Sequence, residues 1–219
     1  MVYRTPPKIQ ERKDAKRRRI LETAARVFAV KGYYSTNVRD ILDEASISTG
    51  SFYFYFNNKE ELFEILYDEM MNTYLNVLQD VVDTMAGNAD NMVKGICKAI
   101  TLSLRTFQKN KELARIMLIG AVGLNPQFEQ KRVTNHQRIS RIFEKIFSEL
   151  SKNGIISIPD VKIAALLFTG SIFNIITAWL QEDNQVDLIE FTFSLTIYNL
   201  QALGIKLNDF DLGSVLDDC

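Results

Sequence analysis

Thr36–Leu62 reads TNVRDILDEASISTGSFYFYFNNKEEL, and the way this stretch is read decides the fold. Val38, Ile41 and Leu42 are apolar at helical spacing, so a short amphipathic helix starts after Thr36 or Asn37. Either residue can cap it by accepting a hydrogen bond from an unpaired amide. Ala45-Ser46-Ile47 follows as a small-residue turn with one apolar anchor, and Ser48 is a second candidate cap. Behind it comes Thr49-Gly50-Ser51-Phe52-Tyr53-Phe54-Tyr55-Phe56. Two short helices separated by a turn of a few residues make a helix-turn-helix, whose second helix enters the major groove of DNA.

The composition of that second helix is unusual for a purely structural element. Its first turn, Thr49, Gly50 and Ser51, is small and polar, which lets a helix N-terminus approach a base edge or a phosphate closely. Phe52 and Phe56 sit four residues apart and face the core, and Phe54 is expected to be core with them. Tyr53 and Tyr55 then lean outward, with hydroxyls in reach of phosphate oxygens. Asn58 and Glu61 have the spacing of a capping box, with Lys59 at the first helical position. A lysine at a helix start can hold a phosphate, since its charge and the helix dipole favour the same anion.

Residues 14–74 resemble the DNA-binding domain of the TetR family of bacterial transcriptional regulators. The resemblance is carried by Arg19-Ile20-Leu21, Ala24-Ala25, Phe28, Gly32-Tyr33 and Val38-Arg39-Asp40-Ile41. Above all it is carried by the run Ile47–Phe56 with Asn58-Lys59-Glu60-Glu61-Leu62 behind it. It implies that Arg39, Thr49 and Ser51 touch bases and that Tyr53, Tyr55 and Lys59 hold phosphates. Ser48 and Gly50 complete the DNA-contacting set. Two departures stand out. Ser46 takes a position where glycine is common, which strains the turn, and Thr49 takes one where lysine or another long polar residue is common, which weakens base readout there.

Composition bounds the rest. The chain has 219 residues, 47% of them hydrophobic, with four prolines and ten glycines. Strand-like alternation is scarce, so the expected class is all-α, one or two domains with a real core. The first residues are basic and lack an apolar core, so no signal peptide is expected and a cytoplasmic location is. Cys97 and Cys219 are too far apart to suggest a metal site or a disulfide framework; reduced thiols are the expectation, with no metal and no cofactor. The formal net charge of −1 hides an asymmetry. Residues 1–60 carry 12 Lys/Arg against 7 Asp/Glu, a net +5; the remaining 14 and 20 give the rest of the chain −6. A basic head on an acidic body suits DNA, where phosphate neutralisation supplies most non-specific affinity.

In chain order, residues 1–13 read as a flexible basic arm. The run Arg12, Lys13, Lys16, Arg17, Arg18, Arg19 leads into the first helix, either solvated, laid on the phosphate backbone or reaching toward a minor groove. The DNA-binding domain occupies 14–74, its motif at about 37–56. One long amphipathic helix runs from Lys59 to about Thr84, with Leu62, Leu66, Met70, Tyr74, Val77 and Val81 on its buried face, and links head to body. A larger helical domain for ligand binding and dimerisation occupies 75–204, with helices near 90–109, 111–121, 125–152, 160–181 and 187–203. An acidic tail, 205–219, closes the chain. His136 reads as a surface or packing residue. Lys131, Arg132, Arg138 and Arg141 form a basic helix face, solvated or able to receive an anionic ligand group.

Ile163–Gln181 carries no charge over nineteen residues, long enough to span a bilayer. A membrane-attached DNA-binding regulator is therefore the alternative reading. Thr169, Asn174 and Thr177 and the acidic flank Glu182-Asp183 argue against it. A helix apolar on all sides can instead be buried on all sides, with one face against its own core and the other against a second subunit. Leu167, Gly170, Ser171, Asn174, Phe193, Ile197 and Leu200 are the candidate dimer contacts. Phe107, Met117, Phe143, Phe147, Phe168, Phe173 and Trp179 are candidate lining residues for the pocket that the family resemblance implies, suited to a small hydrophobic or aromatic ligand. An enzyme is excluded by a single histidine and by the lack of paired thiols or a glycine-rich phosphate loop. The sequence thus reads as a homodimeric, sequence-specific transcriptional repressor, released from a palindromic operator of double-stranded DNA by such a ligand.

Overall fold

A computed structural model describes residues 7–84, 89–182 and 186–205, and among these the regular structure is helical throughout. The helices are α1 (Pro7–Lys31), α2 (Val38–Ala45), α3 (Thr49–Tyr55), α4 (Lys59–Thr84), α5 (Ala89–Lys109), α6 (Lys111–Arg115), α7 (Pro126–Lys152), α8 (Val161–Gln181) and α9 (Thr192–Ala202). A π-helical turn, Ile116–Gly120, extends α6, and a 3-10 turn, Leu188–Phe191, leads into α9. Contacts divide the chain into two compact units. One comprises residues 1–70 and 112–122, the other 71–111 and 123–219, so the division falls inside α4.

The first unit is built on aromatic packing. Phe28, Tyr33 and Phe63 meet with ring centroids 4.8–5.6 Å apart, and Ile20, Ala24, Ile41 and Leu62 are sealed from solvent with them. α1 opens at Pro7, inside the segment expected to be a loose arm. Proline at a first helical position sacrifices no intrahelical bond, and Gln10 donates to Asp14 one turn on. Gly32 ends α1 at φ +78°, its N–H on the Phe28 carbonyl.

The second unit packs α7 along α8, with α5 against α8 and α9. Asn125 and Asp160 cap α7 and α8 through their side chains, and Pro126 stands at the start of α7. On α4, Tyr74 is wholly buried and its hydroxyl pairs with Ser103 Oγ at 2.8 Å. Burial pushes the Tyr74 phenol well above its ordinary range. Val77, expected on the buried stripe of α4, is only half-buried, and Leu78 takes its place. Cys97 is buried on α5, where its sulfur accepts from the Thr196 hydroxyl at 3.8 Å; Cys219, the other thiol expected to be reduced, lies outside the described residues. Most of the acidic tail, 206–219, also lies outside them, as do residues 1–6 of the expected arm.

α8 is long and apolar enough to cross a membrane by length and composition. One side of it, Ala165, Phe168, Thr169, Ile172, Ile176, Trp179 and Leu180, is buried within the unit. Thr169 satisfies its hydroxyl on the Ala165 carbonyl. Packing thus accounts for one side of the helix, and the membrane reading is not favoured.

Candidate functional site

Local hydrogen bonds shape the helix pair. Asn37 caps α2 by accepting from the Asp40 N–H at 3.0 Å, and Asp40 answers by accepting from the Asn37 N–H at 2.9 Å. That backbone donor, and then Lys31 at 2.6 Å, hold the Asp40 carboxyl below the usual range. Thr36 is not the cap; its hydroxyl donates to the Gly32 carbonyl. α2 ends at Ser46, whose φ of 52° makes it the only non-glycine with positive φ among the described residues. The left-handed region crowds a Cβ against the backbone, so the strain expected of this serine is present. It turns the chain sharply, with the Ile47 N–H returning to the Leu42 carbonyl. Ser48 then caps α3 by accepting from the Ser51 N–H.

Helical phase sorts the aromatic run. Phe52 faces inward and is fully buried, and Phe56, extended just past the helix end, is buried beside it with ring centroids 5.6 Å apart. Phe54 is not core: it is 64% exposed, because two residues along a helix turn the side chain about 200° from Phe52. Thr49, Gly50 and Tyr53 share the exposed surface, with Ser51 and Tyr55 half-buried at its edges. Arg39 projects from α2 into solvent, near Asp43 at 3.8 Å.

Lys59 stands differently from the expectation of a simple phosphate clamp. Its ammonium donates to the carbonyls of Tyr33 at 3.0 Å and Thr36 at 2.7 Å and lies 4.2 Å from the centroid of the Tyr33 ring. Two of its three protons therefore tie α4 to the α1–α2 connection, leaving one for any anion. The capping at this helix is also displaced by one residue. Asn58 accepts from the Glu61 N–H, but Glu61 accepts from the N–H of Asn57.

The structure adds residues that sequence reading left in an undifferentiated basic run. Lys16 donates to Ser51 Oγ at 2.6 Å, Lys13 lies over the Phe54 ring at 5.3 Å, and Arg17 over the Phe56 ring at 5.6 Å. The spacing 13, 16, 17 marks one helix face and was the available signal. Other members of the run serve the fold: Arg19 donates to the Ala45 carbonyl at the end of α2.

The predicted lining residues do not converge. Phe143, Phe147 and Phe168 form one cluster, with centroids 4.5–6.3 Å apart. Phe107 and Phe173 form another with Tyr74 and half-buried His136, whose pKa burial lowers. Trp179 donates to the Val186 carbonyl and lies under Lys111, while Met117 belongs to the first unit. Phe107, Phe143 and Phe147 have no exposed surface at all, because they fill interior space between helices.

The candidate dimer contacts fall in two places. Leu167, Gly170, Ser171 and Asn174 line an open groove of about 990 Å³ between α8 and α9, with Ile163 and Tyr198. Ser171 and Asn199 hydrogen-bond across its floor at 3.0–3.1 Å. Phe193 is exposed on α9 and Ile197 half-buried, neither lining the groove. Leu200 is 0% exposed, since it lies on the α9 side that meets the unit's own core, and so cannot reach a partner.

Known proteins are similar to this chain in sequence and in fold. Residues 20–66 match the family described as bacterial regulatory proteins, tetR family. The fatty acid metabolism regulator protein of Bacillus subtilis is 25% identical over 196 residues, covering 89% of this chain and 98% of that protein. The repressor KstR2 of Mycobacterium tuberculosis is 37% identical over 83 residues, 36% of this chain and 40% of that one. Among solved structures, FadR from Bacillus subtilis in complex with stearoyl-CoA superposes with a TM-score of 0.74 at 24% identity, covering 86% of this chain and 98% of that one. FadR from Bacillus halodurans gives 0.77 at 19%, covering 93% and 100%. These two likenesses establish the fold.

The Lys59 geometry makes a direct prediction. Lys59→Ala strips the charged donor from two part-buried carbonyls and should cost the folded state about 1–3 kcal/mol. It should be read as a lower urea midpoint in the absence of DNA. An unchanged midpoint would show that the lysine is not a structural clamp.

Proposed function

Because the chain belongs to the TetR family of bacterial transcriptional regulators, we propose that it acts as a homodimeric repressor, reading a palindromic operator with α3 and leaving it when a fatty acyl ligand binds the second unit. It is a DNA-binding regulator of transcription and not an enzyme. The observation that carries the DNA reading is the α3 surface. Thr49, Gly50 and Tyr53 are exposed beside Ser51 and Tyr55, on a helix whose one fully buried side chain is Phe52, inside the segment that matches the family. In this reading Arg39, Thr49 and Ser51 meet base edges, with Ser48 and Gly50 allowing close approach. Tyr53, Tyr55 and the remaining proton of Lys59 hold phosphates. Selection of random duplexes on the protein should enrich an inverted repeat. Arg39→Ala should then erode discrimination among enriched sites by about tenfold, leaving the affinity for random DNA nearly unchanged. Failure to enrich any sequence would sink the proposal.

The groove between α8 and α9 supports self-association. It is mainly apolar, the Asp160 carboxylate in its lining is engaged in capping α8, and it is flanked by exposed Ile163, Leu167 and Tyr198. Two copies facing across a two-fold axis would cover it with α8 and α9 of each, and the same axis would present two reading helices to two half-sites. Nothing lies within 4 Å of a Cβ placed on Gly170, so a side chain there is tolerated by the monomer. Gly170→Glu should shift sedimentation from dimer to monomer with native helicity, because unpaired charge is costly to bury. A stable dimer would remove Gly170 from the interface.

The ligand reading rests on the relative crystallised with stearoyl-CoA and on the apolar second unit. The basic face of α7 offers a place for an anionic group, although Arg132 is partly neutralised by Glu129 at 3.1 Å and Arg138 donates to Asn135. Stearoyl-CoA at a hundred times its dissociation constant should stabilise the protein by about 2.7 kcal/mol and weaken operator binding. Tight binding that leaves operator affinity untouched would exclude it as the releasing signal, since a ligand shifts an equilibrium only by its differential affinity for the two states.

A further inference from the structure

We infer that Lys16 of α1 is a specificity-determining residue for DNA: by donating to Ser51 Oγ it makes that hydroxyl a proton donor toward an acceptor-rich base edge, selecting guanine. The inference rests on the DNA-binding reading above and deepens it.

The pairing is between elements far apart in sequence. Lys16 Nζ lies 2.6 Å from Ser51 Oγ, thirty-five residues on, and both groups lie on the exposed side of the first unit. The contact is not isolated. Lys13 and Arg17, on the same face of α1, lie over the rings of Phe54 and Phe56 on either side of it. α1 is thereby laid across α3 through three cations, and the lysine stem is held where its ammonium meets the reading face.

The chemistry follows from the hydroxyl. A serine oxygen has one proton to give and two lone pairs to accept with. An ammonium has only protons to give, so Lys16 must occupy a lone pair on Oγ. That donation polarises the O–H and strengthens it as a donor, and it leaves the proton free to point toward DNA. The adjacent positive charge also repels donor groups on a base. Guanine presents two acceptors in the major groove, N7 and O6; thymine presents only one, O4, beside an apolar methyl, adenine places a donor beside its acceptor, and cytosine presents a donor alone. The ammonium and the polarised hydroxyl therefore favour guanine at the base pair Ser51 faces. Without Lys16 the serine can rotate to donate or accept and discriminates little.

The test uses the full chain and random-sequence duplexes. Wild type, Lys16→Gln, Lys16→Arg, Ser51→Ala and the Lys16→Gln/Ser51→Ala double variant are each carried through selection and then titrated on the wild-type site and on single-base-pair changes. One guanine per half-site should lose about tenfold of its preference in Lys16→Gln and retain it in Lys16→Arg. Lys16→Gln should alter base preference no further once Ser51 is alanine. A uniform loss of affinity in Lys16→Gln, with base preference intact, would make Lys16 a phosphate contact and overturn the inference alone. Additive effects of the two changes would overturn it as well. No enriched sequence with the wild type would overturn the DNA-binding reading, and this inference with it. Lys16 is exposed, so circular dichroism of Lys16→Gln should match the wild type.

Discussion

Burial of Phe52 is the constraint on which the head depends. α3 is too short to be stable by itself in water, and this one side chain, sealed completely and stacked near Phe56, anchors it to the unit. Full burial of a phenylalanine contributes about 1.5–3 kcal/mol. Because a helix advances about 100° per residue, fixing Phe52 inward fixes every neighbour: Thr49 and Tyr53 must face outward, and Phe54 with them. The reading surface is the geometric remainder of a packing decision. The turn before it has the same character, since Ser46 accepts a left-handed conformation so that α3 can leave α2 at the angle that buries Phe52.

Charge in the first unit serves two purposes, and contacts sort them. Lys31 completes the cap of α2 through Asp40, Arg19 closes its other end at the Ala45 carbonyl, and Lys59 binds two carbonyls of the α1–α2 connection. These cations hold the scaffold. Lys13 and Lys16 instead spread over α3, where their charge adds to the surface offered to an anionic polymer, while Arg17 is shared between the Phe56 ring and Glu69. A net charge count assigns both groups to DNA. Only the distances separate a cation that positions α2 from one that lies at the reading face.

The second unit shows how an apolar helix divides its surface. α8 gives Phe168, Ile172 and Ile176 to its own core and presents Ile163, Leu167 and Gly170 to an open groove. Its aromatic complement separates likewise into a Phe143–Phe147–Phe168 cluster and a Tyr74–Phe107–Phe173 cluster rather than one lined chamber. Tilted and edge-to-face packing of rings at 4.5–6.3 Å fills space efficiently, so large side chains in such a domain are first an answer to packing density.

The sequence by itself determined the helical class, the positions of most helix ends, a cap at Ser48 and another at Thr36 or Asn37, and the resemblance to the TetR family. These follow from local chemistry: apolar spacing, capping side chains, and small residues where the chain must turn. It also marked α8 as apolar beyond one face, which local pattern can register without saying what covers the second. Only the tertiary structure decided where side chains three turns or thirty residues apart would meet. It turned Phe54 out, drew Leu200 in, scattered the seven presumed lining residues, committed Lys59 to main-chain carbonyls, and brought Lys16 to Ser51. Periodicity gives the face of each helix relative to itself, whereas the partner of a face is set by how the helices pack against one another. No run of neighbouring residues carries that information.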